Sequence, residues 1–211
     1  MDAAQTPFPA TLQIDYPDRE LNRLTTAFRI FTVIPIAVIL GLVSGSTAQD
    51  TEHDHKWIVV GSGGVLFGAT MLMLVFRQKY PRWWFDWNLA LMRFGLRVSA
   101  YLALLRDEYP STDEEQAVHL EIPYPDAARD LDRWQPLYKW FLAIPHYLLL
   151  ACLGVAALVC VVIAWFAILF TGRYPRGLFD FVVGVYRWGL RVTAYAFLLT
   201  TDRYPPFSLS V

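Results

Sequence analysis

Asp86, Arg93 and Arg97 stand at i, i+7 and i+11 in a stretch otherwise dominated by apolar and aromatic residues. Asp180, Arg187 and Arg191 repeat that spacing 94 residues later. On a helix these offsets fall on one stripe, with aromatic and aliphatic side chains covering the rest of the surface. Two guanidinium groups and a carboxylate so placed suit two kinds of chemistry. One is recognition of a phosphate-bearing lipid headgroup by two matched sites. The other is a polar stripe between the two related segments, each arginine snorkelling or pairing with the aspartate. His146, inside a long apolar run, needs a polar partner and is a possible intramembrane polar site.

Other reactive residue types stand in weaker settings. Glu52-His53-Asp54-His55 contains metal-ligand side chains, but it has no second cluster and its segment has no counterpart later in the chain, so a solvated loop is expected and no metal. Gly61-Ser62-Gly63-Gly64 lies in an apolar run without the lysine of a nucleotide-binding loop, and tight helix packing is the reading. Asp113-Glu114-Glu115 reads as a solvated linker. With no nucleophile elbow, paired catalytic carboxylates or Cys/His cluster, no enzymatic activity and no cofactor are expected.

The elements that must position the Arg stripes come in two sets. Arg93-Phe94-Gly95-Leu96-Arg97-Val98-Ser99-Ala100-Tyr101 returns as Arg187-Trp188-Gly189-Leu190-Arg191-Val192-Thr193-Ala194-Tyr195, and 11 of 21 positions are identical between 85–105 and 179–199. Gly95 and Gly189 sit between the arginines, where they permit close helix contact. Each amphipathic segment, about 83–105 and about 178–199, follows a Tyr-Pro-Arg step (Tyr80, Tyr174). Ahead of it lie apolar runs, about 30–43 and 57–76 in the first half and about 137–171 in the second. Alternating Thr11-Leu12-Gln13-Ile14 and His119-Leu120-Glu121-Ile122, each stopped by proline, predict short strands that pair with each other or with the tail, Pro206-Phe207-Ser208-Leu209.

The expected fold class is therefore an all-α integral membrane protein with two repeated units, residues 1–110 and 111–211. Each unit has a short initial β-strand, an apolar helical hairpin and an amphipathic interfacial helix. The hairpin of the second unit carries the ambiguity. Pro35 to Tyr80 is 45 residues, but Pro145 to Tyr174 is 29. A straight helix over 140–170 would be about 46 Å long, beyond a hydrocarbon core of about 30 Å. A fold-back near Gly154 is the favoured solution, with a single long span left open. The amphipathic helices are expected in the interface, where the arginines meet phosphates and the apolar face sinks among acyl chains.

Composition agrees with a bilayer. Hydrophobic residues make up 55%, mean hydropathy is +0.34, and 8 Trp, 11 Tyr and 14 Phe suit an interfacial aromatic belt. A net charge of −1 gives no bulk attraction to nucleic acid. Arg77, Lys79, Arg82, Arg106, Arg129, Arg133, Lys139, Arg173, Arg176 and Arg203 flank the apolar runs, placing both termini in the cytoplasm by the positive-inside rule. Cys152 and Cys160 are about 12 Å apart along a helix, too far for a disulfide, and read as buried apolar residues. The N-terminus lacks the pattern of a signal peptide.

Trp134-Gln135-Pro136-Leu137-Tyr138-Lys139-Trp140-Phe141-Leu142-Ala143-Ile144-Pro145-His146-Tyr147 resembles bacterial membrane proteins of the uncharacterised DUF4389 family. So do Leu169-Phe170-Thr171-Gly172-Arg173-Tyr174-Pro175-Arg176 and Thr201-Asp202-Arg203-Tyr204-Pro205-Pro206-Phe207. The first half is similar but degenerate: Ile36 stands where His146 does, and Arg77-Gln78-Lys79 replaces Thr171-Gly172-Arg173. The resemblance implies a tandem module in a multi-pass protein of the bacterial cytoplasmic (inner) membrane, and it brings no activity.

The leading functional expectation is a non-catalytic scaffold or bilayer-shaping protein, or an accessory subunit of a larger membrane complex. A small oligomeric channel or transporter is the alternative, and lipid binding a further one. The expected partners are the bilayer, including anionic lipids, and further copies of the chain or a larger complex.

Overall fold

A computed structural model describes residues 8–44, 62–112, 114 and 116–210. Glu52, His53, Asp54 and His55, expected in a solvated loop, lie outside the described residues, as do Gly61, Asp113 and Glu115. The first described element is strand β1, Thr11–Ile14, followed by helices α1, Arg23–Ala27, and α2, Arg29–Ser44. Next among the described residues come α3, Ser62–Arg77, and the first amphipathic helix α4, Arg82–Leu102. The second half contains β2, Val118–Glu121, a 3-10 turn at Gln135–Leu137, and a short α5, Lys139–Leu142. Two long helices complete it: α6, Ile144–Thr171, and α7, Arg176–Ala196.

Helix α6 runs unbroken for 28 residues, about 42 Å. The expected fold-back near Gly154 is thereby corrected. One glycine costs a helix only about 1 kcal/mol relative to alanine, and nothing from Val155 to Thr171 supplies a further turn residue. Pro145 falls in the first turn of α6, where its missing N–H leaves no bond unmade. The helix ends at Gly172, whose φ of 75° provides the left-handed cap that a side chain would strain. Among the described residues α6 is the one helix both long and apolar enough to cross a membrane; Arg29–Gly41 and Leu66–Arg77 are apolar but shorter.

Helices α6 and α7 form an antiparallel pair tied at both ends. Residues 172–175 join them at one end. At the other, the Lys139 ammonium donates to Asp202 Oδ1 at 2.5 Å, and the rings of Tyr147 and Phe197 lie 5.9 Å apart. In the first half α2 packs on α4 through Val33, Ile36, Phe94, Val98 and Tyr101.

β1 and β2 pair antiparallel, with Leu12 opposite Leu120 and Ile14 opposite Val118. Each strand packs on the amphipathic helix of the opposite half, β1 on α7 and β2 on α4. Leu12, Ile14, Val118 and Leu120 are buried beneath the ribbon, while Thr11, Gln13 and Glu121 face outward.

This arrangement corrects the placement expected for α7. Phe179, Val182, Val183, Val185, Trp188, Leu190, Val192 and Tyr195 are all buried inside the protein rather than exposed for acyl chains. The exposed apolar surface lies elsewhere: Phe28, Ile30, Phe31, Ile34, Val38 and Ile39 around α2, and Leu148, Val155, Leu158, Val162, Phe166 and Phe170 along α6. Both cysteines are free; Cys152 is exposed, against the burial expected, whereas Cys160 is half-buried and packs against the main core.

Candidate functional site

The four arginines of the two stripes all hold main-chain carbonyls. Arg187 Nε donates to Leu12 O at 2.9 Å. Arg93 donates from Nε and Nη2 to Leu120 O at 3.2 and 3.1 Å. One turn on, Arg97 Nη1 donates to Ser111 O at 2.8 Å, and Arg191 Nη1 to Ser208 O at 3.3 Å. Arg191 also donates from Nη2 to Ser210 O. Leu12 and Leu120 are buried, so their carbonyls need donors once water is removed, and an arginine fork reaches them from a helix surface. Arg191 is buried; burial first, then the charge of Arg187, pushes it below its ordinary value. Asp86 and Asp180 are exposed, and neither pairs with these arginines among the described residues.

A second set of contacts, partly buried, joins the two halves. Tyr16 Oη donates to Tyr174 O at 2.5 Å, and Tyr124 Oη donates to Tyr80 O. Arg176 lies 4.9 Å from the centre of the Tyr16 ring, and Arg82 lies 5.5 Å from that of Tyr124. Phe179 meets Tyr16 edge-on at 5.0 Å, and Phe85 meets Tyr124 at 5.3 Å. These contacts combine area burial with cation–π attraction at the start of α7 and α4.

At the opposite ends of the same helices sit two buried cations. Arg29 is 2% exposed and pairs with Asp107, while donating to Tyr101 O at 2.9 Å and to Arg106 O. Lys139 is fully buried and pairs with Asp202, while donating to Thr201 O at 2.8 Å. The second carboxylate oxygen of each aspartate accepts a backbone N–H, from Asn22 and from Asp132, both at 2.6 Å. Desolvation lowers the Lys139 ammonium from its ordinary value, and Asp202 opposes that shift. Leu104 and Leu199, just after α4 and α7, both adopt positive φ, 64° and 56°. Both are buried, so the core holds a conformation that leucine otherwise avoids.

His146 is fully buried, and its ring stacks on Phe207 with centres 4.0 Å apart. Trp188 Nε1 donates to His146 Nδ1 at 3.0 Å. Indole nitrogen can only donate, so the ring proton of His146 sits on Nε2, which has no hydrogen-bond partner among the described residues. The corresponding place in α2 holds Ile36, packed with Phe94. The imidazole thus fills an aromatic box and brings no second reactive group with it.

Arg29, Lys139, Asp107 and Asp202 were not legible as interior pairs. The signal available was a cation at the start of each apolar run and one aspartate beyond each amphipathic helix, and flanking charge at a membrane edge looks the same. Among the described residues no three His, Cys, Asp or Glu side chains cluster to hold a metal ion.

The segment from Arg133 through the 3-10 turn, α5, α6 and α7 to the tail carries the Lys139–Asp202 pair, the His146 box and the Arg191 clamp. Residues 133–208 match the family model described as Domain of unknown function (DUF4389). The matched segment is thus the second half without β2, the strand that packs on α4. No curated protein and no solved structure is matched by the chain.

Proposed function

We propose that the chain is a non-catalytic membrane scaffold made of two copies of one module that exchange their strands. In this reading it sits in one leaflet of a bacterial membrane, its long helices lying along the plane. The paired contacts of Tyr16 and Tyr124, Arg93 and Arg187, and Arg29 and Lys139 support the two-module reading. α2 and α3 then stand for the two parts of α6, separated by the loop inserted between them.

The placement rests on one observation. Leu12 meets Arg187 near the middle of α7, so the polar outer face of the ribbon lies level with the middle of the α6–α7 pair. If that pair crossed the bilayer, Thr11, Gln13 and Glu121 would stand at mid-depth, where exposed strand edges and charges are not tolerated. Laid in the plane, the ribbon faces water, α4 and α7 form the middle layer, and the apolar surfaces of α2, α3 and α6 face acyl chains. A body of this kind adds area to one leaflet and favours curvature.

Adding the purified full chain to vesicles of phosphatidylethanolamine and phosphatidylglycerol tests the function. Tubes or smaller vesicles at rising protein-to-lipid ratio are expected in electron micrographs. Vesicles that bind the protein and keep their shape exclude the shaping role.

A further inference from the structure

A cavity of about 590 Å³ opens on the apolar side between α2 and α6, floored by α7 and by the residues that end α4. Its wall is apolar, with Gly154, Ala157, Val161 and Trp165 contributed by α6. The volume falls in the usual range of roughly 300–1,000 Å³ for small-molecule sites. Two polar residues, Thr26 and Arg29, stand on that wall, and both are almost completely buried, 1% and 2% exposed. Each has an atom without a hydrogen-bond partner among the described residues, Thr26 Oγ1 and Arg29 Nε. Three residues apart, they fall on one side of the helical path.

We infer that this cavity binds one acyl chain of a glycerophospholipid, with the ester carbonyl taken by Thr26 and Arg29. The inference rests on the placement of this face among acyl chains. Two unpaired donors at the edge of an apolar cavity call for an acceptor attached to an apolar chain. Asp107 already balances the Arg29 charge, so the acceptor need not be anionic, and a neutral carbonyl suffices. The water available to donors elsewhere is absent in a leaflet, which makes that carbonyl the natural partner. In the second half the equivalent positions are Pro136 and Lys139. The first has no donor, and the Lys139 amine is occupied by Asp202 and Thr201, so the site belongs to the first half alone.

The test uses the full chain in detergent and two probes: a diester phosphatidylcholine and its diether analogue, which lacks the carbonyls. Native mass spectrometry reports the lipid retained per protein. The wild type is expected to hold the diester about fivefold more tightly, the worth of roughly one hydrogen bond. Thr26→Val, which leaves Arg29 Nε as the sole donor, should shrink that preference without changing retention of the diether. A side chain begun at Gly154 meets nothing within 4 Å, so Gly154→Leu fills the cavity and should abolish retention of both lipids. Equal retention of the two probes by the wild type, or retention unaffected by Gly154→Leu, overturns the site. Flotation of the same proteins with vesicles reports membrane insertion separately. A chain that floats without retaining lipid disproves the site, whereas one that fails to float disproves the leaflet placement.

Discussion

Leu12 and Leu120 face each other in the two-stranded ladder, and the carbonyl of each accepts from an arginine of the helix beneath it. Leu12 takes Arg187, 175 residues away, and Leu120 takes Arg93, 27 residues away. The ladder therefore ties the first strand to the last helix and the second strand to the first amphipathic helix. The main core, which includes Leu12 and Leu120, is built from both halves.

Cross-linking checks this exchange directly. Thr11 and Glu121 are Cα partners on the exposed face of the ribbon. Antiparallel partners lie about 4.5–5.5 Å apart, within the Cα spacing a disulfide accepts. In a chain with Cys152 and Cys160 replaced by alanine, Thr11→Cys with Glu121→Cys should oxidise to an intramolecular disulfide. The product would migrate faster on a non-reducing gel. Gln13→Cys with Glu121→Cys, one register step away, should oxidise far less; equal yields would disprove the register.

The Lys139–Asp202 pair should dominate the stability of the second half. Removing one member of a buried ion pair leaves an uncompensated charge, at a cost of about 3–5 kcal/mol. Asp202→Asn is expected to destabilise by that order near neutral pH. Lys139→Met combined with Asp202→Asn should recover much of the loss. The pH dependence has a definite sign. Burial holds the ammonium below its ordinary value, so with rising pH the native state releases its proton while the unfolded chain keeps it up to about 10.4. Stability of Asp202→Asn should therefore rise with pH across that window. A denaturant midpoint that stays flat or falls there refutes the buried charge.

Tyr80 carries the opposite sign. Its phenol is pushed up to about 12, chiefly by burial, with Thr70 opposing and Tyr124 reinforcing the shift. Burial raises Tyr174 as well. An unfolded tyrosine loses its proton near pH 10, so the native state binds more protons from there upward. The stabilisation is fully present below about pH 10 and is lost as pH rises through about 12. Tyr80→Phe removes this term and should flatten the decline in stability over that interval, read by tyrosinate absorbance beside circular dichroism.

The sequence pattern carried the two strands and the amphipathic helices, but neither the continuity of α6 nor how the elements are arranged. Leu12 with Ile14 and Leu120 with Ile122 alternate clearly enough to mark β1 and β2. The recurrence of Arg93 and Arg97 as Arg187 and Arg191 marks α4 and α7. The single helix α6 was hidden because residues 144–171 are apolar on every side, so they carry no period that separates a straight helix from a hairpin. The partners of the arginines were hidden for a different reason. Their acceptors are backbone carbonyls, which every residue has, so no side chain announces them. Likewise the amphipathic face of α7 fits a bilayer interface and a protein ribbon equally well, and only the exchanged strand decides between them.

His146 and Trp188 should behave as one unit. Trp188→Phe would leave both nitrogens of a fully buried imidazole unpaired, a cost of about 1–3 kcal/mol. His146→Ile would instead orphan the indole N–H. The first half shows the apolar solution, Ile36 against Phe94. Combining His146→Ile with Trp188→Phe should therefore cost less than the sum of the single changes, with a coupling of about 1 kcal/mol or more. Additive losses in a thermal-melt cycle would show that the hydrogen bond contributes nothing.

The depth of α6 separates the scaffold from a channel. In one leaflet, spin labels at Leu148, Val155, Val162 and Phe170 should report similar immersion, because all four are exposed along a helix that lies in the plane. Were α6 to span, its rise of about 1.5 Å per residue would put labels at Leu148 and Phe170 roughly 33 Å apart in depth. The label at Val155 or Val162 would then be deepest. That outcome would carry the ribbon to mid-bilayer. Its polar face could persist there only against water enclosed by further copies of the chain. Power saturation with oxygen and a nickel chelate distinguishes the two profiles. A graded profile with a central maximum would replace the single-leaflet scaffold with an oligomeric pore whose wall includes Thr11, Gln13 and Glu121.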